Sequence, residues 1–465
     1  MKASRFNRLF QASDGTWLAF NGWSTALAEI EPENVAFVQA LLAHPDSTPC
    51  DTPLKREIRE ALVQAHFLIE DEDDELATLK ADTLRERFRT DALFLTIAPT
   101  LNCNFRCDYC YEEHLKVTMS KAVQQALVGW VEERTCTASE LHVTWYGGEP
   151  LLPQAYPIVE SLSRSFTEIA TRRGLTYGAH LVTNGYFLDR PKTQALVELG
   201  VSKVQVTLDG PPAIHDKRRV LAGGQGTFWR LIQNLKDTVD LVSIQVRINV
   251  DQRNSIAALE VAEILQREGL GEKVRPYLAQ VTFDGAACGN ILELCYSSEE
   301  FARTEIEIYR EAARRGLPLS RYPFRLSGSF CTADRANGFV VAPSGALFKC
   351  WHEVTLHPER SIGSLLDEQQ PFQKRNEDLW LSWNPYERSG CRSCDVLPMC
   401  HGGCPLEAMK DKEADHGACE HFKFHLEPLL EIRYQHPVPD GGSTPARDMG
   451  ARDLGARDAG REVTC

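Results

Sequence analysis

A regular alternation of strand-like and helix-like segments, beginning near residue 90, constrains the fold more than any other feature of the sequence. Apolar runs predict six strands, at 93–97, 141–146, 179–183, 203–208, 242–250 and 274–283. Helix-like stretches separate them, at 120–133, 155–172, 191–199, 227–239 and 256–268. Such alternation is typical of a parallel sheet with right-handed crossovers. About six βα units are too few for a closed eightfold barrel, so we expect an α/β fold with an open, partial (β/α)6 barrel.

Distinctive motifs follow the ends of the first five predicted strands. They are a three-cysteine loop, Gly147-Gly148-Glu149-Pro150, Thr183-Asn184-Gly185, Thr207-Leu208-Asp209-Gly210 and Arg247-Ile248-Asn249. The C-terminal rim of the strands is where α/β barrels build their active sites. The sequence therefore predicts that these motifs meet in one site.

The three-cysteine loop has the spacing Cys103-x3-Cys107-x2-Cys110. Three thiolates can hold a [4Fe-4S] cube and leave one iron without a protein ligand, where a small molecule could bind. A structural zinc site would need a fourth ligand, and His114 stands in an awkward position for that in the same loop. Tyr109 and Tyr111 would place aromatic surface against the cluster and limit its contact with solvent.

The rim motifs also offer groups for a polar ligand. Gly148 would allow close backbone approach, and Glu149 would supply a carboxylate for an ammonium group. Thr207 and Arg219 would supply a hydroxyl and a guanidinium for a carboxylate or a ribose. Each has an ordinary alternative, because Gly-Gly turns are common, Asn184 lies in a segment that could be a plain turn, and Arg219 belongs to a basic loop that could be solvated.

Seven further cysteines form a second group near the C-terminus, namely Cys331, Cys350, Cys391, Cys394, Cys400, Cys404 and Cys419. Seven thiolates exceed one tetrahedral site and fall one short of two fully ligated cubes. Two zinc sites could use about this many, although no Cys-x2-Cys pair is answered by a second such pair. The remaining cysteines are interpreted as small buried or loop residues; they are Cys50, Cys136, Cys288, Cys295 and Cys465.

Composition and segment boundaries predict the number of domains and the classes of partner. The 465 residues suffice for two or three domains, and a formal net charge of −14 argues against a nucleic-acid partner. No apolar run reaches the length of a membrane span and no secretion signal is evident, so we expect a cytoplasmic protein without a membrane partner. We divide the chain into a small α+β module at 1–88, the partial barrel at 89–300, a cysteine-rich domain at 301–435 and a disordered, repeat-containing tail at 436–465.

Both cysteine groups resemble those of a known family. Cys103-x3-Cys107-x2-Cys110 with Tyr109, followed by Gly-Gly-Glu-Pro, resembles the radical S-adenosylmethionine (radical SAM) enzymes. The pattern Cys331-x13-Gly345-x4-Cys350 and the five cysteines after it resemble the SPASM extension of that family. The resemblance covers roughly residues 90 to 425.

The resemblance implies an oxidoreductase-type activity on S-adenosylmethionine (SAM). The first [4Fe-4S] cluster would bind SAM at its open iron, and one electron would cleave SAM to methionine and a 5'-deoxyadenosyl radical that abstracts a substrate hydrogen. The residues that the resemblance places at the cofactor are Tyr109, Gly148, Glu149, Asn184, Thr207 and Arg219. The electron would come from a donor such as flavodoxin or ferredoxin.

By the same resemblance, the chain holds three [4Fe-4S] clusters in all. Cys391, Cys394, Cys400 and Cys419 would ligate one auxiliary cluster, and Cys331, Cys350 and Cys404 would ligate the other. Relatives use one more cysteine just upstream of Cys331, where this chain has none. Either Cys288 or Cys295 reaches that cluster, or one of its irons stays open to substrate.

The resemblance favours a peptide substrate and leaves three functions to weigh. The first is maturation of a ribosomally made precursor peptide by a crosslink or similar modification, with the leader bound by the N-terminal module. The second is anaerobic sulfatase maturation, which forms formylglycine. Trp351 stands where sulfatase maturases have an aspartate after the cysteine equivalent to Cys350, which counts against that reading. The third, a non-catalytic iron–sulfur protein, would not need the rim motifs.

The residue that completes the reaction is unassigned by sequence. Nearby polar candidates for a base are His352, Glu353 and Asp395.

Overall fold

A computed structural model describes residues 1–282, 291–354, 358–411 and 413–436 of the chain. The expected disordered tail at 436–465 lies outside the described residues except for His436, and Cys288 and Cys465 lie outside them as well. Among the described helices, none has the length and apolar composition needed to cross a membrane.

The N-terminal segment folds as a small α+β unit. Its elements are β1 (Lys2–Ala3), β2 (Asn7–Gln11), β3 (Trp17–Asn21), β4 (Leu27–Ile30), α1 (Val35–Ala43), α2 (Pro53–Gln64), β5 (Leu68–Ile69) and α3 (Glu75–Arg87). Strands β2, β3 and β4 form an antiparallel sheet in that order, and β1 pairs with β5. Helix α2 begins at Thr52, whose side chain accepts a hydrogen bond from the Lys55 backbone, with Pro53 in the first turn where a missing N–H costs nothing.

The middle of the chain alternates as the sequence predicts, with two short strands and one short helix that the sequence did not predict. Its elements are β6 (Ala92–Ile97), β7 (Phe105–Cys107), α4 (Lys121–Arg134), β8 (Glu140–Trp145), α5 (Tyr156–Arg173), β9 (Thr176–Thr183), α6 (Arg190–Glu198), β10 (Val201–Thr207), α7 (Pro212–Arg218), β11 (Arg219–Leu221), α8 (Phe228–Thr238), β12 (Ser243–Val250), α9 (Ala257–Arg267) and β13 (Val274–Gln280). The six parallel strands pair in the order β13-β12-β10-β9-β8-β6. The expected α/β fold is confirmed.

The C-terminal part is mostly short helices and loops. Its elements are α10 (Ser298–Arg314), β14 (Gly338–Val341), β15 (Ala346–Phe348), β16 (Gly363–Ser364), α11 (Pro371–Ser382), α12 (Ser389–Arg392), α13 (Leu397–Cys400), α14 (Pro405–Lys410) and α15 (Leu426–Gln435). Strand β14 pairs in parallel with β6, and β15 and β16 follow it antiparallel. Within the described residues the central sheet thus has nine strands, three of them from beyond the barrel.

The N-terminal unit rests against the cysteine-rich segment. Arg8 on β2 forms an ion pair with Asp395, with 2.5 Å between Nη2 and Oδ2. On α3, the buried Arg87 donates to the carbonyl oxygens of Asp334 at 2.9 Å and Trp383 at 2.6 Å. These contacts join the two ends of the chain around the barrel.

Candidate active site

One cavity of about 510 Å³ lies at the carboxyl ends of the parallel strands. All five rim motifs contribute to its lining, through Cys103, Cys107, Cys110, Gly147, Gly148, Thr183, Asn184, Thr207, Arg247 and Asn249. The C-terminal part of the chain contributes Cys331, Cys350, Cys404 and Cys419 to the same lining. Both cysteine groups therefore face the same space.

A short antiparallel pair of strands from distant parts of the chain holds the first cysteine loop. Strand β7 in that loop pairs antiparallel with β11, and Cys107 stands directly opposite Arg219. The bond from the Ala222 amide to the Asn104 carbonyl, 2.8 Å, extends the pairing. Arg219 is therefore positioned beside the cysteines by backbone pairing rather than lying in a solvated loop.

Tyr109 connects this loop to the ends of β10 and β12. Its hydroxyl donates to the fully buried Asp209 and accepts from Arg219 Nη1 at 2.5 Å and from Asn249 Nδ2 at 3.0 Å. The Asn249 amide donates in turn to Asp209, with 3.0 Å between the nitrogen and Oδ1. Burial of the Tyr109 phenol raises its pKa well above the ordinary value, so it stays protonated and can serve as donor.

Arg219 and Thr207 contribute polar side chains to the lining. Arg219 is buried, and its Nε has no hydrogen-bond partner within the described part of the chain. Thr207, at the end of β10, lines the cavity on the same rim. A buried guanidinium donor left open at a cavity wall suits an anionic group such as a carboxylate.

Gly147 and Gly148 let the end of β8 pack against the first cysteine loop. Gly147 has φ +102°, and a Cβ there would lie 2.7 Å from the Thr100 carbonyl oxygen. A Cβ at Gly148 would lie 2.2 Å from the Asn102 carbonyl oxygen and 2.7 Å from the carbonyl carbon of Leu101. No side chain fits between these backbones, which explains both glycines.

Gly148→Ala is therefore expected to displace the cysteine loop. Overpacking against backbone should lower the free energy of unfolding by about 3 kcal/mol and reduce the iron retained by the first cluster. Thermal unfolding and iron analysis measure the two effects. Gly129→Ala is the matched control, because nothing lies within 4 Å of a Cβ there and Gly129 is inside α4. Equal iron content and equal unfolding free energy in the two variants would show that the close approach of Gly148 to the Asn102 backbone does not matter.

Glu149 lies fully buried, and its oxygens are occupied by protein groups. Oε1 accepts from Thr183 Oγ1 at 2.7 Å and from the Leu151 amide at 2.9 Å, and Oε2 accepts from the Asn184 amide at 2.7 Å. Burial raises its pKa. The carboxylate thus joins the ends of β8 and β9, a function that sequence reasoning missed, and its predicted contact with SAM stays a prediction.

The first cysteine triplet fits a [4Fe-4S] cluster with three protein ligands. Cys103 Sγ is the acceptor for the Phe105 amide at 3.4 Å and for Asn184 Nδ2 at 3.7 Å, the kind of contact that tunes a cluster. Burial raises the pKa of the Cys103 thiol to about 12. These thiols would become thiolates by coordinating iron, since coordination deprotonates a thiol.

The C-terminal cysteines divide between two places. Cys391, Cys394, Cys400 and Cys419 line a small second pocket, where Cys391 Sγ accepts from the Gly417 amide at 3.1 Å and Cys419 Sγ from Lys423 Nζ at 3.3 Å.

The other three cysteines, Cys331, Cys350 and Cys404, line the main cavity. Burial raises the pKa of Cys350 well above its ordinary value, and Cys404 and Cys331 lie close enough to raise it further. Cys419 borders both spaces. Each set contains enough sulfur donors to hold an iron–sulfur cluster.

Cys288 and Cys295 are the candidates that the sequence offers for a fourth ligand of the Cys331 group. Cys288 lies outside the described residues. Cys295 is partly buried and packs in a small cluster with Tyr109 and Tyr111, and its thiol donates to the Ile291 carbonyl at 3.4 Å. Cys295 is not among the described residues that line the cavity.

The aromatic surface predicted at Tyr111 extends into a wall of four rings that joins the first cysteine loop to the segment after Cys350. Tyr111 stacks on His352 with 4.3 Å between ring centroids, and Tyr146 stacks on Trp351 at 4.8 Å. The hydroxyls of Tyr111 and Tyr146 are in contact. Beside them, burial raises the pKa of Glu112 to about 8. The only sequence signal for this wall was the position of Tyr111 and Tyr146 next to the two rim motifs.

The three polar candidates for a base are separated in the structure. His352 lines the cavity. Glu353 is buried, with its pKa raised to about 7 by desolvation, but it is not among the described lining residues. Asp395 pairs with Arg8 at the N-terminal unit. Of the three, only His352 can reach a molecule in the described cavity.

Comparisons with known proteins find a family domain across the barrel and relatives along most of the chain. The Radical SAM superfamily model matches residues 97–250, from the end of β6 to the end of β12. A serine-type anaerobic sulfatase-maturating enzyme of Klebsiella aerogenes is 24% identical over 70% of this chain and 83% of that protein. The PqqA peptide cyclase of Gluconobacter oxydans is also 24% identical, over 67% of this chain and 84% of that protein.

Solved structures show the same fold. Native anSMEcpe with bound AdoMet and Kp18Cys peptide superposes with a TM-score of 0.56 at 17% identity, covering 74% of this chain and 97% of that one. Streptococcus suis SuiB bound to precursor peptide SuiA gives a TM-score of 0.50 at 14% identity, covering 90% and 99%. With the cysteine triplet at the matched rim, residues 97–250 of the chain form a Radical SAM superfamily domain.

Proposed function

We propose that the chain is a radical SAM/SPASM maturase that modifies a ribosomally made peptide, by a crosslink or a similar bond. Reductive cleavage of SAM at the first cluster supplies the radical that abstracts a hydrogen from the peptide. Cys103, Cys107 and Cys110 hold that cluster, and the other two cysteine sets hold two auxiliary [4Fe-4S] clusters. A small reducing protein such as flavodoxin or ferredoxin supplies the electron, in the cytoplasm.

The observation that carries this proposal is the position of both cysteine groups on one cavity. Cys103, Cys107 and Cys110 lie on the barrel rim, and Cys331, Cys350 and Cys404 lie in the same lining. A peptide side chain held between them has a radical source on one side and an electron acceptor on the other. A volume of about 510 Å³ admits SAM and a side chain rather than a folded protein.

Anaerobic sulfatase maturation is the second candidate, and the Klebsiella relative favours it. Against it, Trp351 follows Cys350 where we expect an aspartate, and its ring stacks on Tyr146. Trp351 cannot accept a proton in the way a carboxylate can. We therefore favour peptide crosslinking over formylglycine formation.

Anaerobic reconstitution with iron and sulfide tests the activity. With SAM and dithionite, we expect 5'-deoxyadenosine and about twelve irons per chain, from three cubes. No 5'-deoxyadenosine at full iron loading would refute the enzyme assignment, and about eight irons would refute the auxiliary pair.

Mass spectrometry distinguishes the two candidate functions. Incubation with a short peptide encoded by a neighbouring reading frame should yield a crosslinked product. A cysteine-containing sulfatase peptide should stay unchanged, and its conversion to formylglycine would establish the second candidate instead.

We infer that the N-terminal module, residues 1–88, binds the leader of the precursor peptide along the edge of β4. The β2-β3-β4 sheet has β4 at one side, with no further strand paired to it among the described residues. The Asn21 amide donates to the Ala26 carbonyl oxygen at 3.1 Å, which fixes the hydrogen-bonding register of β3 with the chain that enters β4. In an antiparallel pair only every second residue bonds to the partner strand. Leu27 and Glu29 are the residues between, so their backbone N–H and C=O groups point away from β3. An extended peptide can add to such an edge.

Glu29→Pro is expected to weaken precursor binding at least about tenfold, because proline removes the outward N–H but no bond to β3. Fluorescence anisotropy of a labelled precursor peptide measures the affinity, and 5'-deoxyadenosine formed without peptide should not change. Glu29→Ala is the matched control, since it keeps the N–H while removing the contact with Tyr434. Equal losses in both variants would count against edge pairing.

A further inference from the structure

Three ligand-type side chains meet outside the cysteine sites. Glu305 lies on α10, and His421 and His425 lie in the turn between Cys419 and α15. Glu305 Oε2 is 2.6 Å from His421 Nδ1 and 3.0 Å from His425 Nε2. Glu305 is 1% exposed and His425 is 5% exposed, so this is a buried charged group rather than a surface cluster.

Neither nitrogen–oxygen contact has the geometry of a hydrogen bond. Glu305 Oε2, His421 Nδ1 and His425 Nε2 all lack a hydrogen-bond partner among the described residues. A short contact that is misaligned for a shared proton fits a second account, in which the atoms move slightly apart and ligate a common cation. A buried carboxylate oxygen without a hydrogen bond is otherwise costly.

The tautomer of His425 strengthens this reading. His425 Nδ1 lies 3.0 Å from the carbonyl oxygen of His421, which can only accept, so Nδ1 carries the hydrogen. In the neutral ring, Nε2 then presents a lone pair to the lone pairs of the Glu305 carboxylate. That arrangement is repulsive unless a cation lies between the two atoms.

The surrounding contacts orient the three ligands. Tyr309 Oη donates to the other oxygen of Glu305 at 2.9 Å, which leaves Oε2 directed at the histidines. The ring of Phe301 packs edge-on against His421, with 5.1 Å between centroids. A backbone carbonyl on one histidine and a hydroxyl on the carboxylate are typical outer contacts of metal ligands.

We propose that Glu305, His421 and His425 bind one divalent transition-metal ion of the zinc type. Two imidazoles and one carboxylate form a donor set that Zn²⁺ prefers and that contains no sulfur, which separates this site from the cysteine sites. The ion would fasten α10 to the segment that carries Cys419. It would also border the main cavity, because His421 contributes to its lining.

The competing account is a metal-free charge cluster with protonated histidines. A neutral His421 with its hydrogen on Nδ1 and a protonated His425 would make both contacts attractive, but neither N–H would be aligned on an oxygen. Two protons place two imidazolium ions around one buried carboxylate, with neither N–H aligned on an oxygen. The two accounts differ in a measurable quantity, the metal content of the folded protein.

The test uses the full chain with its clusters assembled and desalted before one equivalent of Zn²⁺ is added. Elemental analysis should find one zinc per chain after dialysis. Zinc K-edge X-ray absorption should show nitrogen and oxygen neighbours at about 2.0–2.1 Å and no sulfur at about 2.3 Å. Glu305→Gln and His421→Gln should each lower retained zinc at least tenfold without lowering cluster iron.

His142→Gln is the matched control. His142 is as buried as His425 and forms a hydrogen-bonded pair with Glu140 at 2.8 Å, so its loss should not change the zinc content. A zinc–sulfur shell, zinc retained in both site variants, or no zinc in the wild-type protein would each overturn the proposal. The zinc X-ray absorption spectrum of the wild-type protein tests the ligand set even if Glu305→Gln fails to fold. His421 is less buried than Glu305, so His421→Gln provides a second variant.

Discussion

Cys107→Ala is expected to reduce 5'-deoxyadenosine formation to the level of an enzyme-free control. Cys107 is the cysteine that β7 and β11 place opposite Arg219, and its loss leaves two ligands for a cluster that needs three. Iron content should fall by about four per chain, since one of three cubes is lost. Anaerobic assays with SAM and dithionite, together with iron and sulfide analysis, measure both quantities.

Cys136→Ala is the matched control for that experiment. Cys136 is an exposed thiol just beyond α4, and its replacement should leave both iron and product unchanged. Normal SAM cleavage by Cys107→Ala would show that the triplet does not hold the catalytic cluster. Loss of the auxiliary iron in the same variant would instead indicate general misfolding.

Cys350→Ala is expected to separate SAM cleavage from peptide modification. Cys350 lies in the lining shared with the triplet and clusters with Cys331 and Cys404. Without it, the first cluster should still form and 5'-deoxyadenosine should still appear, but modified peptide should fall at least about a hundredfold, the upper range seen when a metal site loses support. Liquid chromatography with mass detection quantifies both products from one reaction.

Cys394→Ala tests the other auxiliary set with the same assay. Cys394 lines the small second pocket and not the described part of the main cavity, and its neighbour Asp395 holds Arg8 of the N-terminal unit. We therefore expect reduced folding yield and reduced turnover, with the first cluster still assembled. If Cys350→Ala modifies peptide at the wild-type rate, the proposed electron acceptor beside the substrate is wrong.

The order and type of the barrel elements could be predicted because they depend on local pattern. The apolar run at 93–97 became β6, and the stretch at 155–172 became α5 with a shift of one residue. Convergence of the rim motifs followed from the same pattern, since the carboxyl ends of parallel strands share one edge. Cys107 and Asn184 are in the same lining for that reason.

Contacts between distant segments could not be predicted in this way. No local sequence pattern indicates that β11 pairs with β7 and brings Arg219 to the cysteine loop. None indicates that the Glu149 carboxylate accepts hydrogen bonds at the end of β9. The Glu305 group likewise joins positions more than a hundred residues apart. Such contacts depend on tertiary packing, which periodicity and spacing do not encode.

The parallel pairing of β14 with β6 makes the C-terminal part of the chain a structural cover for the barrel. Residues 338–341 occupy the hydrogen-bonding edge of the strand that leads into the cysteine loop. A ribosome-bound chain that ends before Gly338 would leave that edge open to pairing with other chains. Strand β6 can therefore gain its second neighbour only after residues 338–341 have been synthesised. The cysteine loop that follows β6 reaches its final contacts only when most of the polypeptide has left the ribosome.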